Sequence, residues 1–204
     1  MKLLFFGDIV GRCGRAKVKE ILPRLKKDLM IDVVVACADN LAHGRGATKE
    51  TIHEMMNIGV DFFTGGDHIF HNPEFADSIE DLPIVRPANF PGETPGYGYK
   101  VFDVGKQGHL LLINLQGKTS FGGLGYQLEN PFVVVDNILS GFPKEENLFS
   151  VVDFHADATS EKNALAFYLD GRVNAVLGTH THIPTCDTRV LPKGTMFVTD
   201  VGMT

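Results

Sequence analysis

Five short apolar runs in this chain each lead directly into side chains able to hold a metal ion. Residues 2–6 run into Asp8, 32–37 into Asp39-Asn40, 61–64 into Asp67-His68, 149–154 into His155, and 173–177 into His180-Thr181-His182. Runs this short suit strands, and the β-branched stretch at 32–37 suits a strand buried on both faces of a parallel sheet. In open α/β sheets ligands bind at the carboxyl ends of the strands, which is where these polar residues fall. A single Asp or Asn in a loop has an ordinary turn explanation. Five such positions, carrying four of the eight histidines, do not.

Between the runs the apolar residues change period. Val18, Ile21, Leu22, Leu25 and Leu29 recur at helical spacing, with Pro23 expected to kink or divide that helix. Thr48 is placed to cap a second helix whose apolar face is Ile52, Met55 and Met56, and Gly59 suits the residue just past its end. Three strand-loop-helix units in a row predict a mainly parallel sheet covered by helices. Residues 99–104 and 109–115 flank a Gly-Lys-Gln-Gly turn and read as an antiparallel hairpin, which implies a second sheet. Asn130-Pro131 opens a third helix, residues 160–169 form a fourth ending near Gly171, and a last hairpin joins 188–191 to 196–199. With no repeat, low-complexity tract or linker, residues 1–204 read as a single domain.

Composition removes several function classes. The chain has 204 residues, is 44% hydrophobic and carries a formal charge of −6, so it has material for a sizeable core and no basic run for gripping nucleic-acid phosphates. No stable nucleic-acid complex is expected, whereas a small anionic substrate held by metal ions is compatible with that charge. No stretch approaches a membrane span or a signal segment, so a cytoplasmic protein is expected. Cys13, Cys37 and Cys186 are odd in number and widely spaced, which suits free, buried thiols in a reducing compartment.

Carboxylates and neutral imidazoles together suit divalent Mn, Fe or Zn, and there are more candidate ligands than one ion can use. Two ions, divalent or mixed-valence, are the natural count. Such a pair, ~3.5–4 Å apart and bridged by a carboxylate and a hydroxide, stabilises both entering and leaving oxygens, and phosphoester hydrolysis fits that chemistry best. Amide and lactam hydrolysis use similar ions, so the ligand types alone leave the substrate open.

The order Gly-Asp, Asp-Asn, Gly-Asp-His, a lone His and Gly-Thr-His-Thr-His resembles the calcineurin-like metallophosphoesterases. Gly7-Asp8-Ile-Val-Gly11, Asp39-Asn40, His68, the stretch from Asp153 to Lys162, Gly178-Thr-His-Thr-His182 and Thr199-Asp-Val-Gly-Met203 are similar to the bacterial YmdB-type branch, which includes 2',3'-cyclic-nucleotide phosphodiesterases. The resemblance covers essentially the whole chain. It implies a four-layer α/β/β/α sandwich. It also implies a first ion held by Asp8, Asp39, Asn40 and His182, a second held by Asp67, His155 and His180, and Asp39 as the bridge. His68 is implied as the general acid that protonates the leaving oxygen or steadies the phosphate. The activity implied is hydrolysis of a small nucleotide phosphodiester, with homo-oligomerisation left open. A phosphomonoesterase, another dinuclear metallohydrolase, or a metal-binding regulatory protein with little turnover are the alternatives.

The sequence departs from that pattern at named positions. Val10 stands where the wider superfamily has a second His, an absence the branch shares. Asp39 and Asp67 stand where the branch usually has Glu and Asn, and His71 replaces an acidic residue. Relatives in the branch also continue past the last motif, whereas this sequence ends at Thr204. Elsewhere the plain readings are preferred. His43 and Arg45 are expected in a solvated loop, Lys118 of the 116–120 segment in a turn, Cys186 outside the ligand set, and His53 and His109 exposed or locally satisfied. Met55, Met56 and the fifteen phenylalanines are expected to fill core.

Overall fold

Residues 1–119, 127–142 and 147–204 are described by a computed structural model. The first half of the chain builds β1 (Leu3–Phe6), α1 (Gly11–Leu29), β2 (Val33–Cys37), α2 (Lys49–Ile58), β3 (Phe62–Thr64) and the two-residue β4 (Ile84–Val85). These strands pair in parallel in the order β1-β2-β3-β4. The second half builds β5 (Tyr99–Asp103), β6 (His109–Gln116), α3 (Pro131–Ser140), β7 (Leu148–His155), α4 (Thr159–Tyr168), β8 (Ala175–Thr179), β9 (Arg189–Val190) and β10 (Met196–Val198). This sheet runs β5-β6-β7-β8-β10-β9, parallel in its middle and antiparallel at both edge pairs.

The alternation of side chains along the strands makes the layers. On β2, Val34 and Ala36 pack with Val18 and Leu22 of α1 and Ile52 and Met55 of α2, while Val33 and Val35 point the other way. On β6, Leu111, Ile113 and Leu115 pack with Val134, Val135 and Ile138 of α3 and Leu165, Ala166 and Leu169 at α4, while Leu110 and Leu112 point back. The inward sets meet in one cluster between the sheets, completed by Val85, Val151, Ala175, Leu177 and Val198. The architecture is therefore the expected α/β/β/α sandwich.

Local signals explain most boundaries. Thr48 caps α2 reciprocally with Thr51: its hydroxyl accepts from the Thr51 amide at 3.3 Å, and the Thr51 hydroxyl accepts from the Thr48 amide at 2.9 Å. Such a cap contributes about 1 kcal/mol. Asn130 caps α3 one way, its Oδ1 accepting from the Phe132 amide at 3.0 Å, with Pro131 in the first turn. Both expected hairpins are present.

Three expectations are corrected, and one strand forms where none was expected. Helix α1 starts at Gly11, ahead of its first periodic apolar residue, and runs undivided through Pro23. Val18 and Leu22 ahead of Pro23 are buried and Leu25 beyond it packs against the same core, which holds the helix together across the missing hydrogen bond. Strand β4 forms inside the Pro- and Gly-rich stretch, where two residues carry no periodicity to read. Cys13 and Cys186 are exposed, the first on the solvent side of α1 and the second in a loop, so only Cys37 is a buried thiol. Met56 and Phe167 are exposed as well, because each points away from the sheet its helix covers.

Candidate metal centre

Along the face between the sheets, the strands change from apolar to polar as they approach their carboxyl ends. On β7 the inward positions are Val151, Asp153 and His155; on β8 they are Ala175, Leu177 and Thr179; on β6, Leu110 and Leu112 give way to Asn114 and Gln116. The period-2 alternation carries polar side chains into the inter-sheet layer only at one end. Loops from both sheets close over that end.

There the expected residues converge. Oδ1 of Asp67, Nε2 of His155 and Nδ1 of His180 lie within 2.9–3.3 Å of one another. Ligands ~2.1 Å from a tetrahedral ion stand about 3.4 Å apart, so this donor set has the spacing of one ion's coordination shell. Oδ2 of Asp39 is 3.5 Å from the same His155 nitrogen, which puts this carboxylate at the edge of that group. On the other side Asn40 Oδ1 is 3.1 Å from His182 Nε2, and Asp8 Oδ1 is 4.0 Å from it. Asp8 and His155 meet at 4.0 Å through Nδ1. His68 flanks the carboxylates: its amide donates to Asp39 Oδ1 at 3.0 Å, and its Nδ1 lies 3.0 Å from Asp39 Oδ2 and 3.3 Å from Asp67 Oδ2.

The loop carrying His180 and His182 is held from below. Asp200 Oδ2 accepts from the Thr181 amide, the Thr181 hydroxyl and the buried Lys162 ammonium, and Lys162 also donates to the Thr179 carbonyl. The His180 amide donates to Asp8 Oδ2 at 3.0 Å. Both histidines have positive φ, 95° and 64°, a strained backbone for residues with a Cβ, which these contacts hold in place. Two glycines let backbone approach the site. A Cβ on Gly66 would lie 2.5 Å from His155 Nε2, and one on Gly7 would lie 1.9 Å from the Gly202 carbonyl.

The charges are set by this crowding. Burial alone would raise the Asp67 carboxyl, but hydrogen bonds to His155 and His180, with the charges of His155 and His68, hold it well below the usual carboxylate range. Burial lowers the His155 imidazole, yet Asp39, Asp8 and Asp67 around it outweigh that and raise it to about 10. The hydrogen bond to Asp39 raises His68. Burial pushes the Cys37 thiol well up, so it stays protonated and donates to Asp8 Oδ1 at 3.3 Å. Asp153, fully buried, is raised to about 7.

All of Asp8, Asp39, Asn40, Asp67, His68, His155, His180 and His182 therefore stand in one cluster. His43, Arg45, His53 and His109 are exposed and make none of the contacts just described, Cys186 is exposed, and Lys118 lies in irregular chain after β6 and not in the expected turn, its amide donating to Glu161. Ser120, the last residue of the segment around Lys118, falls outside the described residues. Sequence reasoning gave no role to Cys37, Asp153, Lys162, Thr179 or Asp200. Four of these sit inside the long motifs, and an acid and a lysine in motifs that supply no further ligand were the available sign.

The chain matches the family model described as "YmdB-like protein" over residues 4–204. It is 45% identical over 206 residues to the 2',3'-cyclic-nucleotide 2'-phosphodiesterase of Bacillus subtilis, covering all of this chain and 75% of that protein. A Thermus thermophilus protein titled as hypothetical superposes with a TM-score of 0.91 at 40% identity, over 100% of this chain and 77% of that one. A Mycoplasma pneumoniae structure titled as a novel phosphatase also gives 0.91, at 35% identity, over 100% of this chain and 72% of that one.

Proposed function

The chain belongs to the YmdB-like family, and from that premise we propose that it is a phosphodiesterase hydrolysing small 2',3'-cyclic nucleotides with the help of two metal ions. The observation that carries this reading is the convergence of Asp67, His155 and His180 at 2.9–3.3 Å with Asp39 beside them. The oxygen and imidazole donors suit Mn, Fe or Zn. Asp8, Asp39, Asn40 and His182 would hold one ion and Asp67, His155 and His180 the other, with Asp39 shared. Bound there, the ions supply Lewis acidity toward phosphoryl oxygens and an activated water at neutral pH.

The protein's own groups supply the rest. His68, whose Nδ1 lies 3.0 Å from Asp39 Oδ2 and which that bond raises above the ordinary imidazole value, would be the general acid toward the leaving 2' or 3' oxygen. Cys37 and the His180 amide fix the two oxygens of Asp8, and Asp200 with Lys162 fixes the histidine loop. No helix among the described residues is long and apolar enough to cross a membrane, and the free thiols of Cys13, Cys37 and Cys186 suit a reducing, cytoplasmic setting.

The test is hydrolysis of 2',3'-cyclic AMP, bis-p-nitrophenyl phosphate and p-nitrophenyl phosphate by protein loaded with Mn²⁺, beside metal analysis. Cleavage of the two diesters with two ions bound is expected. Cleavage of the monoester alone, or two bound ions with no turnover, would overturn the reading.

A further inference from the structure

Thr179 and Asp153 take no part in that proposal, yet they tie the His155 ring to the neighbouring strand through its Nδ1. The Thr179 hydroxyl donates to Asp153 Oδ1 at 2.8 Å and lies 2.9 Å from His155 Nδ1. All three residues are fully buried. We propose that Thr179, braced by Asp153, is a positioning residue that fixes the tautomer of His155 and aims its Nε2 at the metal site. The inference rests on the metal-dependent reading of that site.

A hydroxyl has a single hydrogen to give, and with Asp153 ionised it goes to Asp153 Oδ1, the direction the bond takes in the structure. Toward His155 the hydroxyl oxygen can therefore only accept, so Nδ1 must carry a hydrogen. With Nδ1 so committed, the hydrogen that a bound metal ion would displace is the one on Nε2, the nitrogen that faces Asp67, Asp39 and His180. Strand register builds the arrangement: His155 is paired with Thr179 on adjacent parallel strands, and Asp153 lies two residues before His155 on the same face. The β-branched Thr179 side chain is stiff about χ1. Gly66 packs so closely over Nε2 that the ring has little room to swing. Hydrogen-bonded partners behind a ligating imidazole set its tautomer and basicity, and their loss costs 10–100-fold in metal affinity.

The experiment uses the full chain loaded with Zn²⁺, a diamagnetic probe. Long-range ¹H–¹⁵N correlation of the His155 ring should show hydrogen on Nδ1 and none on Nε2. Zinc titration against a chelator should show Thr179→Val binding the second ion about 10–100-fold more weakly, with Thr179→Ser restored to wild-type affinity. Wild-type protein with a bare Nδ1 overturns the proposal without any variant, which covers a valine variant that does not fold. Equal affinity of Thr179→Val and wild type overturns it too, leaving the metal reading intact. A wild type that takes up no zinc overturns the metal reading, and this inference with it.

Discussion

Oδ1 of Asp67 and Nε2 of His155 stand 2.9 Å apart, although 88 residues separate them in sequence and they come from different sheets. A carboxylate at this position adds a charge that an amide would not. Asp8, Asp39 and Asp67 together set three negative charges against the four positive charges of two divalent ions. Asp67→Asn is therefore expected to weaken binding of the second ion while raising turnover at saturating Mn²⁺, since more uncompensated positive charge would face the phosphoryl oxygens. Metal titration beside cyclic-nucleotide hydrolysis checks both halves. Unchanged or lower turnover in the fully loaded variant would refute the charge account.

His68 and His180 should separate by phenotype. His180→Ala removes a nitrogen from the Asp67–His155–His180 group and is expected to lower bound metal and activity together. His68→Ala is expected to keep both ions while turnover falls about 10²–10⁴-fold, the range for loss of a general acid. Metal analysis of the two purified variants distinguishes them, and metal loss in His68→Ala would make that residue a ligand.

The Lys162–Asp200 pair is fully desolvated, with side chains 0% and 1% exposed. Removing one partner leaves a buried charge uncompensated, at a cost of about 3–5 kcal/mol. Lys162→Met should lower unfolding stability by that amount in urea melts, and a loss below about 1 kcal/mol would mean Asp200 is sufficiently served by Thr181.

Asp187 gives a pH signature. Burial would raise its carboxyl, but hydrogen bonds from Thr185 and Thr199, with Arg189 nearby, lower it to about 2. A group with a depressed folded pKa stabilises above its unfolded value of about 3.9, and that stability is lost as pH falls toward the folded value. The gap in melting temperature between wild type and Asp187→Asn should therefore be full at pH 5 and shrink between about pH 4 and pH 2. A gap independent of pH would assign the effect to packing instead.

The positions of the strands and helices were largely legible, because β2 and β6 carry alternating or doubly apolar patterns and α2 and α3 carry their own caps. The ligand candidates were legible for a related reason: in an α/β sheet a polar residue just past an apolar run is already placed at the binding edge. The sequence could not show that α1 survives Pro23, or that two residues at Ile84–Val85 would pair as a strand, since long-range packing decides both.

By itself, then, the sequence determined the layers, the edge at which the site forms, and the eight residues gathered there. Tertiary structure alone decided how those residues are held. Thr179 reaches His155 because β7 and β8 pair in one particular register, and Asp200 meets Lys162 and Thr181 across 38 and 19 residues. Hydrogen bonds between side chains so far apart leave no period in the sequence; they exist only once backbone pairing has fixed which strands are neighbours and which side chains share a face.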